Sequence, residues 1–427
     1  MDRDQVKKTL LDQQLEKTSA RSLVIRSGLS EAKKSLERPL VLVVTGVRRC
    51  GKSTFCHQLL DGETYGYINF DDERLITLRV AQLQMVLEVI LEIVPDSRTL
   101  LLDEIQNIKG WELFVNRILR AGYRVIVTGS NSKLLSSELA THLTGRHRTF
   151  ELYPFSFSEY LRAKTFEYDL SSLTTQKSAD MSRYFNTFLK EGGFPEMVIR
   201  PYEPRYLREL YDKIISKDIV QRKKIRNSAA LKELALLAIS QSGSQFTFQK
   251  FSKTLGIKGV NTTKNYLSYL EDAYLLETIQ PYSNKVKEQI RLPRKIYAID
   301  NGMFQAMNTR LTPDFGFSLE TFVFGHLKMQ GKEIKYYLSP TAEVDFLVHK
   351  GRSVAQLIQV CWSVSDRETL GREIKALKEA AAITRCKNLI LLTPNGEQTL
   401  EMDDLTVQVL PVWRWALENE ITKPPES

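Results

Sequence analysis

The chain runs to 427 residues, 42% of them apolar and 26% charged, and 60 lysines and arginines outweigh 51 aspartates and glutamates to leave a formal charge of +9. This composition fits a globular chain of several domains and excludes collagenous, low-complexity and membrane-spanning classes, because no apolar stretch approaches the length of a span. The basic excess favours an acidic partner, nucleic acid ahead of a membrane surface, with no membrane partner expected; Cys50, Cys56, Cys361 and Cys386 lack CxxC spacing and read as reduced thiols.

Residues 1–37 open with MDRDQVKKTLLDQQLEK, charged and amphipathic without a secretory apolar core, so a helical segment of a cytoplasmic protein is expected. The apolar run PLVLVV then reads as a buried strand that enters TGVRRCGKST. Gly46, Gly51, Lys52 and Ser53 have the GxxxxGK[ST] spacing, in which backbone N–H groups cradle phosphate oxygens, the lysine reaches the β and γ phosphates, and the hydroxyl sits on Mg2+. The expected nucleotide contacts are Gly46, Val47, Arg48, Arg49, Cys50, Gly51, Lys52, Ser53 and Thr54, with solvated or structural roles open for the two arginines. STFCHQLLD, amphipathic, leaves the loop as a helix.

A strand at YGYINFDD, a helix at VAQLQMVLEVILEIV and a strand at RTLLLDEIQ follow. The last delivers Asp103 as a Mg2+ ligand and Glu104 as the group that deprotonates attacking water. A helix at GWELFVNRILRAG and a strand at YRVIVTGSNS come next, with Thr128, Ser130 and Asn131 as candidate γ-phosphate sensors. RTFELYPF closes the set, and Arg146 or Arg148 beside it is a candidate arginine finger, with a structural arginine as the alternative. Strands alternating with helices predict an α/β, mainly parallel sheet over 38–155.

Residues 156–226 turn helical and read as a lid, broken at LSSLTTQKSAD and EGGFPE. Their end carries Lys217, Arg222, Lys223, Lys224 and Arg226 against Ile215, Ile219 and Ile225, which predicts a basic and an apolar helix face. Residues 227–310 give three helical patterns and a strand pair, a winged-helix arrangement. Asn261 or Thr262 would cap the third helix, and Lys258, Thr262, Thr263 and Lys264 would enter a DNA groove. Lys285, Lys287, Arg291, Arg294 and Lys295 would line the wing tip.

Residues 311–427 change to helix, strands, helix and strands, a smaller mixed α/β domain. Glu320, Asp345 and Gln359 line up in an order that resembles the restriction-endonuclease-like fold, with Glu343 as a second carboxylate. Active versions of that fold carry a lysine two residues past the acid. This sequence has Cys361 there, so cleavage is in doubt.

Taken in order, TGVRRCGKST, YINFDDERL, LLLDEIQNIKGWE, VIVTGSNSKLL, LTGRHRTFELYPFSFSEYL and YFNTFLKEGGFPEMV resemble the prokaryotic AAA-type P-loop ATPases that carry a C-terminal domain of unknown function. KDIVQRKKI, IYAIDNGMF and ETFVFGHLKMQGKEIKYYLSPTAEVDFLV extend the resemblance over nearly the whole chain. It implies nucleotide binding by Gly46, Lys52 and Ser53, magnesium at Asp103 and water activation by Glu104. The expected function is ATP hydrolysis with Mg2+ that switches DNA contact. An ATP-gated nuclease, and an ATP-binding regulator of a protein partner without DNA, are the alternatives; a homo-oligomer or a protein partner is the further candidate association.

Overall fold

A computed structural model describes residues 1–18, 24–131, 145–200, 203, 205–308, 315–363, 367–402 and 405–420. By internal packing the chain divides into one unit of 1–153 with 272–274, and a second of 154–271 with 275–420.

In the first unit, β1 (Val41–Thr45), β2 (Gly66–Asn69), β3 (Thr99–Asp103), β4 (Arg124–Gly129) and β5 (His147–Glu151) form an all-parallel sheet in the order β2-β3-β4-β1-β5. Strands covered on both faces need a near-continuous apolar run, and β1 and β3 are buried throughout, with polar residues only at their ends. Helix α5 (Trp111–Arg120) places Trp111, Phe114, Val115 and Ile118 on one stripe, ending where Gly122 takes a positive φ of 87°. Together with α4 (Leu83–Ile93) and α1 (Arg3–Thr18), which contributes Val6 and Leu10, it covers one face of the sheet. Each Leu or Val buried there adds about 1.5–3 kcal/mol.

Thus the parallel α/β architecture expected for 38–155 is found. The β4 strand lies between β1 and β3, so the ends of three neighbouring strands bring Thr45, Thr128 and Asp103 side by side.

The second unit begins with the helices Phe157–Ala163, Thr175–Glu191, Pro195–Ile199 and Arg205–Lys213. Thr174 caps the second of these, so part of the expected break at LSSLTTQKSAD is helical. A π-helical stretch, Ile214–Gln221, follows and buries Ile214, Ile215 and Ile219. The backbone turns at Lys224 with a positive φ of 51°, so Lys224, Ile225 and Arg226 lie beyond the helix and the expected basic face is shorter than predicted.

Helices Ser228–Ser240, Phe248–Thr254 and Val260–Asp272 match the three helical patterns of the middle. The strand pair beyond them is part of a three-stranded antiparallel sheet in which β8 (Arg294–Ala298) lies between β6 (Gln245–Phe246) and β7 (Leu276–Ile279). A short helix, Val286–Arg291, occupies the connection from β7 to β8, where a bare wing turn was expected. The third helix starts at Val260, so Asn261 and Thr262 sit inside its first turn instead of capping it. Thr263 is buried and cannot face a groove.

The C-terminal sheet has the order β13-β14-β12-β11-β10-β9, mixed in direction, with helix Phe315–Met329 and helix Arg367–Thr384 packed against β11. Its strands are β9 (Glu333–Leu338), β10 (Glu343–Lys350), β11 (Ser353–Val360), β12 (Leu389–Thr393), β13 (Gln398–Met402) and β14 (Leu405–Pro411). No helix among the described residues is long and apolar enough to cross a membrane.

Candidate functional site

The loop between β1 and helix α3 (Lys52–Leu59) turns on two glycines with positive φ, Gly46 at 150° and Gly51 at 94°. A Cβ at Gly46 would stand 2.0 Å from the Leu152 carbonyl oxygen, so only hydrogen fits. Three anchors hold the loop. Arg26, buried, donates from Nη1 to the Cys50 carbonyl at 2.7 Å and from Nη2 to the Tyr153 carbonyl at 2.7 Å. Cys50 Sγ lies 3.3 Å from the Leu152 carbonyl oxygen, and Arg48 pairs with Asp71 at 3.1 Å. Nothing in the local sequence marks Arg26, because its partners are distant in the chain.

Lys52 Nζ, buried, donates to the Gly46 and Val47 carbonyls, each at 3.2 Å, and lies 3.5 Å from Glu104 Oε1. Burial works against its charge, but Glu104, then Cys50 and Asp103, outweigh burial and hold the ammonium above its usual range. Asp103 is buried at the end of β3, and Ser53 and Thr128 hydrogen-bond to it. Burial, and next Glu104, pushes this carboxyl up; the two hydroxyls and Lys52 act in the opposite direction. Tyr67 OH adds a longer contact to Asp103 at 3.4 Å.

Thr128 Oγ1 also accepts from the Glu104 backbone N–H at 2.9 Å. Glu104 itself has a left-handed backbone, φ 52° and ψ 39°, which costs a non-glycine residue roughly 1–2 kcal/mol. That turn swings its carboxylate toward Lys52, and Ser130 Oγ donates to it at 3.3 Å, with Gln106 Nε2 as a further donor. Ser130 and Asn131 are buried at the end of β4.

The structure therefore gathers Gly46, Lys52, Ser53, Asp103, Glu104 and Ser130 at the carboxyl ends of neighbouring strands, the edge at which open α/β sheets take ligands. A hard-oxygen pair, Ser53 and Asp103, beside a buried lysine and a loop that admits no Cβ, fits a nucleotide phosphate with its magnesium. Arg49 is exposed on the loop at a φ of 69°, and Val47 is buried beneath it. Thr54 lies in the first turn of α3.

Arg146 and Arg148 are not brought to this cluster. Arg148 lies in β5, parallel to β1 and opposite Leu42, and Arg146 just precedes that strand with its carbonyl accepting from the Val41 N–H at 2.9 Å, both at the end of β1 remote from the loop; exposed Arg148 bonds Glu31 at 2.5 Å. A finger role within one chain is not what this register provides.

Tyr274, unmarked in the sequence reading, belongs to the same unit. Its hydroxyl donates to Thr45 Oγ1 at 2.8 Å and lies 3.3 Å from Glu151 Oε1, at the point where β1 becomes the loop.

The nuclease-like residues meet in the second unit, with one change. Glu320, Glu343 and Asp345 converge, whereas Gln359 turns away from them: its Oε1 accepts from the Asp345 N–H at 3.2 Å and its Nε2 donates to Glu373 at 2.7 Å. The side chain between the three acids is Lys295 of β8, buried rather than at the tip of a wing. Its position depends on strand pairing across the chain, which local spacing does not reveal.

Comparison with known proteins adds the following. The family described as an AAA domain matches residues 38–161, one domain of unknown function (DUF8612) matches 182–314, and a second (DUF4143) matches 315–415. An uncharacterized protein of Methanocaldococcus jannaschii is 34% identical over 399 residues, covering 88% of this chain and 88% of its own. An uncharacterized protein of Haemophilus influenzae is 28% identical over 397 residues, covering 88% of this chain and 94% of its own. Among solved structures, a Walker-type ATPase of Pyrococcus abyssi aligns with 13% identity and a TM-score of 0.42, over 67% of this chain and 96% of that one.

Proposed function

We propose, from the premise that this chain belongs to the family of the Methanocaldococcus jannaschii protein and carries an AAA domain at 38–161, that it binds and hydrolyses ATP with magnesium and uses the nucleotide to switch contact with DNA. The observation that carries the reading is Lys52 held between the loop carbonyls and Glu104, with Ser53 on Asp103 beside it.

Lys52 would turn from the loop carbonyls to the β and γ phosphates, with the amides of the loop and the start of α3 taking the remaining phosphate charge. Magnesium held by Ser53 and Asp103 would neutralise charge on the phosphate oxygens. Once Lys52 engages phosphate, its pairing with Glu104 weakens and that carboxylate is available to water. Glu104 takes a proton as the water oxygen bonds to the γ phosphorus and the bond to the β-phosphate oxygen breaks, giving ADP and phosphate. Ser130 and Gln106 keep the carboxylate aimed.

The DNA limb rests on charge. Lys258, Lys264, Lys285, Lys287 and Arg291 are exposed around helix Val260–Asp272 and the β7–β8 connection, on a chain of net charge +9. Tyr274 follows that helix by two residues and bonds the strand entering the phosphate loop, which supports coupling of the two activities.

The test is a pair of variants. Glu104→Gln is expected to keep ATP affinity and lower turnover roughly a hundredfold or more, and Lys52→Ala to lose ATP binding. Unchanged phosphate release by Glu104→Gln removes that residue from the chemistry.

A further inference from the structure

Three carboxylates share one buried lysine in the second unit. Lys295 Nζ lies 2.8 Å from Glu320 Oε1, 2.8 Å from Asp345 Oδ1 and 2.5 Å from Glu343 Oε1, with the lysine side chain 2% exposed. The ammonium donates hydrogen bonds to Glu320 and Asp345 and forms an ion pair with Glu343. We propose that Glu320, Glu343 and Asp345 form a cation site whose occupant is the Lys295 ammonium in the place of a divalent metal, so that this centre clasps two chain segments together and does not cleave phosphodiesters.

With Lys295 in place, the surrounding contacts leave a metal little to bind. Asp345 Oδ2 accepts from the Val360 N–H at 2.9 Å, Glu343 Oε2 accepts from Gln245 Nε2 at 2.6 Å, and Glu320 Oε1 accepts also from Tyr297 OH at 2.7 Å. A small divalent ion needs about six oxygens in near-octahedral order. Among the described residues no group of three His, Cys, Asp or Glu side chains is arranged to hold a metal.

The backbone builds this arrangement. Against β9, the register of β10 shifts between Val344 and Leu347, so Asp345 sits in a bulge, a device that re-aims a side chain. Glu343 and Asp345 share a face at a spacing of two, and β8 brings Lys295 to it, with its Nζ also 5.8 Å from the centre of the Tyr336 ring.

Burial opposes the lysine charge, but Asp345 and Glu320 overcome it and hold the ammonium well above its usual range. Burial, and next the Asp345 charge, pushes the Glu320 carboxyl up to about 7, while Lys295 and Tyr297 act in the opposite direction. The clasp also crosses a boundary: Lys295 lies in the segment matched at 182–314, and the three acids in the segment matched at 315–415.

The experiment uses the full chain without nucleotide, followed by thermal melting with and without Mn2+ and by nicking of supercoiled plasmid DNA. The parent chain is expected to melt at the same temperature in Mn2+ and in chelator, and to leave the plasmid intact. Lys295→Met should melt lower, and Mn2+ should restore roughly 5 °C through the freed carboxylates, a gain that adding Asp345→Asn removes. Should Lys295→Met fail to fold, Asp345→Asn in the parent is the second arm, and it should lower the melting temperature equally in Mn2+ and in chelator. Plasmid nicking by the parent that needs Mn2+ and disappears in Asp345→Asn overturns the proposal. So does a Lys295→Met chain that melts like the parent and takes up no Mn2+.

Discussion

Gly46 illustrates how little room the phosphate loop allows at the level of a single residue. Its φ of 150° and the 2.0 Å approach of the Leu152 carbonyl oxygen to a built Cβ mean that Gly46→Ala must move backbone, because the nearest atom is main chain, with Cys50 Sγ next at 3.0 Å. Overpacking of this kind costs roughly 1–3 kcal/mol, and here it shifts the loop itself. Gly46→Ala is therefore expected to weaken binding of a fluorescent ATP analogue roughly tenfold or more in an equilibrium titration, while circular dichroism stays close to the parent. Residues brought together by local spacing, such as Gly46, Lys52, Ser53 and Asp103, were legible in the sequence as neighbours. Arg26, Tyr274 and Lys295 were not, since each acts on atoms that only the folded chain brings near.

Elements divide in the same way. Helix α5 could be read from Trp111, Phe114, Val115 and Ile118, whose spacing of three and four admits one buried stripe, and β1 from its unbroken apolar run. Helix Val286–Arg291 escaped because its residues bury nothing and so carry no periodic signal. Helix Phe315–Met329 carries a property that sequence reading did not offer. Its His326 is buried with its ring 4.9 Å from that of Trp415, and burial lowers its pKa from 6.5 to about 4. Because the unfolded chain takes up this proton at a higher pH than the folded one, the neutral ring supports the fold above about pH 6.5, and that support is lost as pH falls toward 4. The loss amounts to about 3 kcal/mol. Urea unfolding of the parent should show this acid-side slope between pH 6.5 and 4, and His326→Gln should flatten it.

Across the whole molecule, the charge of +9 makes a claim about partners and not about the fold. Duplex DNA binding is expected to weaken roughly a thousandfold between 50 and 200 mM salt, as for about six phosphate contacts, and to change between ADP and ATP in the Glu104→Gln chain. Fluorescence polarisation of a labelled duplex measures both, and absence of binding at low salt directs the search to protein partners. Chain order sets another property. The strands of the first unit end by 153, yet the unit takes up the chain again at 272–274, where Tyr274 supplies a donor to Thr45. A gene cut anywhere between these points yields an N-terminal fragment whose phosphate-loop strand lacks that donor. The first unit is thus discontinuous along the chain, and one hydrogen bond at its phosphate-loop strand is supplied by a segment that follows the intervening helices in sequence.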